Sequence, residues 1–220
     1  MSKFTKMAGF ICVAQLLAGT AMASDTTAVS PDRGFAAGDV LVRLRGLAVL
    51  PDERSSVSVI GGKVQASNNV VPEADFTYFA TDKISFELIA AVTKHSNTAV
   101  GTSLGNVDLG SVWLLPPTLT AQYHFNLSPK LDCYAGAGIN YTHMFSRGLP
   151  AATVTAIHYS DTVGPALQLG ADYNLGNNWF ANFDVKKIWM KTNVNINNGA
   201  ILAHVHIDPW VVGAGAGYRF

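Results

Sequence analysis

His204, His206 and Asp208 stand at alternate positions, so an extended chain carries both imidazoles and the carboxylate on one face. Two histidines and an aspartate are a zinc-ligand set by type. No cysteine or further carboxylate follows at ligand spacing, and histidines at a rim beside a long loop make the same pattern, so no metal ligand is assigned. Lipid hydrolysis would need Ser, His and an acid converging near one membrane interface. His124, His143 and Ser146 supply the types, but they fall at opposite rims and no serine carries a distinguishing motif. No catalytic residue is assigned, and the chain is not read as an enzyme. Gly213-Ala214-Gly215-Ala216-Gly217 has the composition of a nucleotide loop. It lies inside an alternating segment with no helix behind it, so no cofactor is assigned.

Two other sets of residues carry more. Arg43, Arg45, Glu73, Asp75, Glu87, Asp172, Asp184, Lys186 and Arg219 each fall on the less apolar face of a segment that alternates. Charges of mixed sign inside a narrow lumen are costly unless paired, so these nine are expected to form a plug toward the periplasmic side. Pro116 and Pro117 are adjacent inside another such segment. They remove two backbone donors, so neighbouring strands cannot pair there. In a membrane wall that gap is either covered by protein or used as an opening. The two readings are a lateral exit from the lumen into lipid and a strand end or bulge at the extracellular rim. Lys94 and Lys187, near segment ends, either contact lipopolysaccharide phosphates or snorkel.

These residues need elements to hold them. Residues 40–50, 70–80, 84–95, 111–125, 131–145, 162–175, 179–192 and 208–220 alternate with period two, the pattern of strands between two environments. The first sets Val42, Leu44 and Leu50 against Arg43 and Arg45; the third sets Phe86 and Leu88 against Glu87. Residues 80–83, 126–130 and 176–178 form tight turns rich in Asp, Asn, Gly and Ser. Residues 51–68, 96–109, 146–161 and 193–203 read as long polar loops. Short turns at one end and long loops at the other are the pattern of an outer-membrane barrel. Open edges are not tolerated in lipid, and an even count of eight closes an antiparallel sheet. The expected fold is an all-β, eight-stranded antiparallel transmembrane β-barrel over residues 24–220. A soluble lipocalin-like barrel would turn its apolar face inward and charge its outside. Here the polar faces are mostly Gly, Thr, Asn and Gln. Phe76, Tyr78, Tyr123, Phe125, Trp179, Trp210, Tyr218 and Phe220 lie near strand ends, as in an aromatic girdle.

Composition agrees. Hydrophobic residues make up 49% and charged ones 14%, yet past the N-terminus no run is long enough for a spanning helix. Lys3, Lys6, the apolar stretch 7–17 and Ala21-Met22-Ala23 make residues 1–23 a secretory signal peptide. The mature chain then begins at Ser24 with Cys133 as its single cysteine, which forms no internal disulfide. Fifteen basic residues balance fifteen acidic ones, giving no reason to expect nucleic acid as a partner. Eight strands enclose a lumen that side chains nearly fill, which excludes a wide aqueous pore. Glycines 136, 138, 164, 170, 213, 215 and 217 would open local room if they face inward. Curvature or tight neighbouring side chains account for them as well, and that reading is favoured.

The last strand ends at Phe220 with Trp210 and Tyr218 on the same face. It resembles the closing strand of bacterial outer-membrane barrels, where the terminal aromatic belongs to the signal read by the barrel-assembly machinery. Residues 72–79, Thr93-Lys94-His95, Leu115-Pro116-Pro117-Thr118 through Phe125, residues 134–142 and Gly217-Tyr218-Arg219-Phe220 together resemble the OmpW family. The resemblance covers essentially the whole mature chain. It implies an eight-stranded barrel in the bacterial outer membrane, among lipid and lipopolysaccharide, that passes small and mainly hydrophobic solutes. It favours the lateral opening at Pro116 and Pro117. The alternative is a non-transporting barrel whose loops serve adhesion or recognition.

Overall fold

A computed structural model describes residues 33–58, 61–103, 105–146, 156–196, 199 and 201–220. The expected signal peptide, 1–23, lies outside the described residues. Strands β1 (Val40–Leu50), β4 (Asn69–Phe79), β5 (Ile84–Ala91), β8 (Thr118–Ser128), β9 (Leu131–Ser146), β11 (Thr162–Gly176), β12 (Trp179–Ile188) and β15 (Trp210–Arg219) pair antiparallel in chain order. The ring closes where β15 returns to β1, with Leu41 opposite Arg219 and Leu50 opposite Trp210. Phe220 takes part, its N–H donating to the Val40 carbonyl at 2.8 Å. The barrel is thus an eight-stranded antiparallel cylinder, as the alternation predicts.

Its faces are inverted relative to a soluble barrel. Leu44 is 68% exposed and Val70 76%, while Arg43, Glu87, Asp172 and Asp184 have no exposed surface. A soluble lipocalin-like sheet would bury the first set and expose the second. Apolar outside and polar inside is the arrangement that hydrocarbon demands.

The expected long loops need correction. Residues 51–68 contain β2 (Arg54–Val57) and β3 (Lys63–Ala66). Residues 96–109 belong to β6 (Thr93–Thr102) and β7 (Gly105–Leu115). Residues 146–161 hold β10 (Ile157–Tyr159), and 193–203 hold parts of β13 (Lys191–Ile196) and β14 (Ile201–His206). These strands prolong the wall. Ile89 opposite Thr118 and Thr93 opposite Leu114 lie in one unbroken register, as do Trp210 opposite Leu50 and His206 opposite Arg54. They read as loops because polar residues such as Lys94, Ser96, Thr98, Lys191 and Asn193 hold many of their outward positions, with only an occasional large apolar residue such as Leu202. Beyond the membrane nothing requires those positions to be apolar.

At the other end the turns are short. Asn177 and Asn178, with φ of 53° and 65°, join β11 to β12 between the paired Gly176 and Trp179. Two successive left-handed residues make the hairpin turn whose twist matches the strands, and Asn tolerates it.

The inward glycines make no space. A Cβ on Gly217 would stand 2.6 Å from Arg43 Cγ, and one on Gly170 would meet the Tyr134 ring at 2.3 Å. On Gly215 it would lie 2.0 Å from the Leu44 carbonyl oxygen, which is backbone and cannot move aside. The missing side chains let β15 lie close against β1 and let large neighbours lie across them. Gly215→Val is therefore expected to prevent closure, whereas the outward Ala214→Val is accommodated. After refolding into detergent, heat-modifiable gel mobility should show little folded barrel for the first and normal yield for the second.

Candidate functional site

The lumen is layered. At the turn end, residues 33–39 cross the mouth and insert Phe35. Its ring stacks on Phe79 at 4.3 Å and on Phe180 at 4.7 Å, with Leu41 completing an apolar cap. Arg219 holds this segment in place. Its guanidinium donates to the carbonyls of Arg33 at 2.9 Å and Gly34 at 3.1 Å and to Asn178 Oδ1 at 2.8 Å, and it lies 5.4 Å from the Phe180 ring centre. Arg219 is therefore buried but does not join the carboxylate network expected of it. It sits one level too close to the mouth, where two backbone carbonyls and the Asn178 amide oxygen are its acceptors.

Above the cap, His124 lies between Asp132 and Ser85, its Nδ1 2.6 Å from Asp132 Oδ1 and its Nε2 2.8 Å from Ser85 Oγ. The order acid, imidazole, hydroxyl is that of a hydrolytic triad. Ser85 has no exposed surface and also reaches Gln122 Oε1 at 2.9 Å. The hydroxyl is enclosed by the plug. His143 is far from it, bonded to Asp161 at 2.9 Å, and the side chain of Ser146 lies outside the described residues. Hydrogen bonds from His143, Tyr141 and the Met144 N–H lower the Asp161 carboxyl to about 2.

The next layer is ionic. Arg43 reaches Asp75, Asp172 and Glu87, each at 2.9 Å, and Thr77 Oγ1 at 2.7 Å. Arg45 reaches Glu73 Oε1 through Nε at 2.7 Å, Asp75 Oδ2 at 3.0 Å and Glu87 Oε1 at 3.1 Å. Lys186 pairs with Asp184 and lies 3.3 Å from Glu87. Neutral groups supply the remaining donors: Gln168 to Glu87 at 2.9 Å and to Asp184 at 2.6 Å, Asn182 to Asp172 at 2.8 Å, and Tyr134 to Asp184 at 3.1 Å. Five carboxylates thus surround three cations, and all eight side chains are buried. The amides and the phenol are the partners that sequence reading missed. They were hidden among ordinary polar alternation.

Above the lattice the lumen widens into a largely apolar chamber with about 90 Å³ of enclosed volume. Lys186 and Glu73 form part of its floor. Leu47, Val49, Ile89, Ile188, Met190 and Val211 line its lower wall, and Val64, Leu114, Met144 and Val205 its upper wall.

Pro116 lines this chamber, while Pro117 follows on the outward side of the alternation. On the β9 flank the wall is sealed: the Tyr141 N–H donates to the Pro117 carbonyl at 3.0 Å and Asn140 Nδ2 to the Pro116 carbonyl at 3.3 Å. The opposite flank is not. Pairing stops at Ile89–Thr118 and resumes at Thr93–Leu114, so residues 90–92 face 115–117 without a ladder. Val92 also lacks a ladder partner on its other side, where β4–β5 pairing ends at Glu73–Ala91 and Pro72 stands opposite. Three prolines therefore flank one unpaired residue at the chamber's level. A similar break at residues 189–190 and 207–209 is bridged instead, by Ile207 N–H to Met190 O at 3.0 Å, Ile188 N–H to Pro209 O at 3.2 Å and Met190 N–H to Asp208 Oδ1 at 2.9 Å.

That last bond gives Asp208 a backbone to hold. His206 is 3.8 Å from it and His204 bonds Asn193 at 2.7 Å. Among the described residues no group of three His, Cys, Asp or Glu side chains could hold a metal ion. Lys94 lies 5.7 Å over Trp113, and Lys187 4.9 Å over Trp210 with its ammonium on the Asp208 carbonyl at 2.6 Å. Trp210 and Phe220 project outward, Phe220 edge-on to Tyr218 at 5.0 Å.

Removing one member of a buried ion cluster leaves the others uncompensated, at a cost of about 3–5 kcal/mol. Arg43→Met is expected to lower stability by that order, read as the urea midpoint of protein reconstituted in lipid vesicles. Adding Asp172→Asn should restore part of the loss. Equal midpoints for wild type and Arg43→Met would refute the dependence on this lattice.

A family model described as the OmpW family matches residues 36–220. An outer-membrane protein of Sinorhizobium fredii is 40% identical over 183 residues, covering 81% of this chain and 79% of its own. Outer membrane protein W of Escherichia coli is 35% identical over 230 residues and the match covers 100% of each chain. The crystal structure of OprG from Pseudomonas aeruginosa superposes with a TM-score of 0.78 at 30% identity, covering 85% of this chain and 98% of that one. With the closed barrel, its inverted faces and its stoppered lumen, these matches show that the chain belongs to the OmpW family of bacterial outer-membrane proteins.

Proposed function

We propose that the protein passes small, mainly hydrophobic molecules across the outer leaflet by releasing them sideways into the membrane. One observation carries this reading: a largely apolar chamber lies over a densely ion-paired floor, beside a stretch of wall that lacks its ladder. An apolar solute gains by leaving water for the chamber at about 25 cal/mol per Å² buried. Going on downward would mean prising apart the ion pairs of Arg43, Arg45 and Lys186 and then the Phe35 cap. Going sideways breaks fewer bonds. Elsewhere in the wall each backbone group unpaired in hydrocarbon costs several kcal/mol, whereas between Val92 and Pro116–Pro117 the pairing is already missing. The gap spans three residues, about 10 Å at strand rise.

On this reading Pro116 and Pro117 form the lateral opening, with Val92 and Pro72 as its other edge. Arg43, Arg45, Glu73, Asp75, Glu87, Asp172, Asp184 and Lys186 form the floor that turns the solute aside, and Arg219 latches the cap beneath it. The partners are outer-membrane lipid, lipopolysaccharide and the solute. A second reading, adhesion or recognition by a non-transporting barrel, draws on the wall's extension beyond the membrane, which makes a firm rim. Trp210, Tyr218 and Phe220 serve recognition by the barrel-assembly machinery.

Replacing Pro116 and Pro117 together by Val restores two donors. Uptake of a small apolar compound into vesicles carrying the protein should fall several-fold, with folded yield unchanged. Unchanged uptake would sink lateral release. Equal uptake of a hydrophilic compound of the same size would favour a narrow pore, and no uptake of either would favour recognition. Deleting Phe220 should reduce insertion in cells while detergent refolding stays largely intact; normal insertion would count against its assembly role.

A further inference from the structure

Many polar groups around the chamber are occupied by their neighbours, but His95 keeps one ring nitrogen unused. Its Nδ1 lies 2.7 Å from the Ser67 carbonyl. A carbonyl only accepts, so Nδ1 carries the proton and Nε2 of the neutral ring keeps its lone pair. The ring is buried and lines the chamber, and among the described residues Nε2 has no partner. Burial lowers the His95 pKa, which keeps the ring neutral and Nε2 an acceptor. Two residues along the same inward face, Asn97 Nδ2 donates to Tyr159 Oη at 3.2 Å. That bond uses an oxygen lone pair and leaves the Tyr159 O–H proton free, again inside the chamber. A largely apolar wall therefore offers an unused acceptor on His95 and an unused donor on Tyr159, linked through Asn97, two residues beyond His95 on β6 and bonded to Tyr159. A hydrocarbon leaves both unmatched, and an unmatched buried polar group is penalised. A hydroxyl, which donates and accepts, answers both.

We propose that His95 and Tyr159 form a hydrogen-bonding subsite that selects hydroxyl-bearing apolar molecules, such as phenols and short alcohols, over the corresponding hydrocarbons. The proposal rests on the chamber being the solute's binding place. It assigns the solute a polar end that lodges beside β6 and β10, with its apolar body against the lower wall.

Binding of 1-naphthol and of naphthalene to the full protein in lipid nanodiscs, corrected with empty discs, tests it. The readout is the ratio of the two affinities, which cancels general hydrophobicity. His95→Leu should shift that ratio against 1-naphthol by three- to tenfold, the change expected of one neutral hydrogen bond. Tyr159→Phe, which keeps the ring's volume, should shift it in the same direction. A ratio unaltered in both variants overturns the subsite and leaves the chamber standing. Failure of the wild-type protein to bind either compound overturns the subsite and the transport reading together. Should His95→Leu fail to fold, Tyr159→Phe alone decides, an unaltered ratio counting against the proposal.

Discussion

A guanidinium inside a lipid-embedded barrel must find carboxylates within reach or be left uncompensated at great cost. Arg43 and Arg45 meet that requirement with Glu73, Asp75, Glu87, Asp172 and Asp184, which come from four other strands. The register of β1 against β4 places Arg43 opposite Asp75 and Arg45 opposite Glu73. The register against β15 places the same two arginines opposite Gly217 and Gly215. On one side they find charge and on the other clearance. A one-residue slip would turn the whole set toward lipid, so the lattice and the barrel's register require each other.

The lattice also divides the lumen. With the Phe35 cap below and the ionic layer above it, the turn end is closed twice. What remains open is the apolar chamber, which lies toward the end opposite the tight turns and beside one weakened stretch of wall. The contrast between the two wall breaks is informative. At residues 189–190 and 207–209 a buried aspartate and backbone carbonyls cross the break. At Val92 neither flank is bridged, because prolines occupy positions that would otherwise donate.

Much was legible along the chain. Period-two alternation revealed the eight barrel strands, since lipid and lumen impose opposite demands on successive residues. It also placed every charged residue of the lattice on the inward face. The wall's extension beyond the membrane was illegible, because outward positions there face water and tolerate Thr, Asn and Ser. Pro116–Pro117 was recognisable as a break. Val92 and Pro72 were not, because a missing ladder depends on which residues stand across from it. Ser85, His124 and Asp132 come from separate strands, and the pairing of β5, β8 and β9 brings them into one bonded row.

The sequence by itself determined the class of fold, the face each residue presents and the chemistry available to each face. Those follow from local alternation, which the solvent on either side reads directly. The tertiary structure decided which opposite charges meet, that Arg219 latches a cap and does not join the lattice, and that the glycines are filled by neighbours. It also decided that His95 and Tyr159 face one chamber. Each of these depends on strand register and closure, and a cylinder brings together residues more than a hundred positions apart, as Arg43 and Asp172 are.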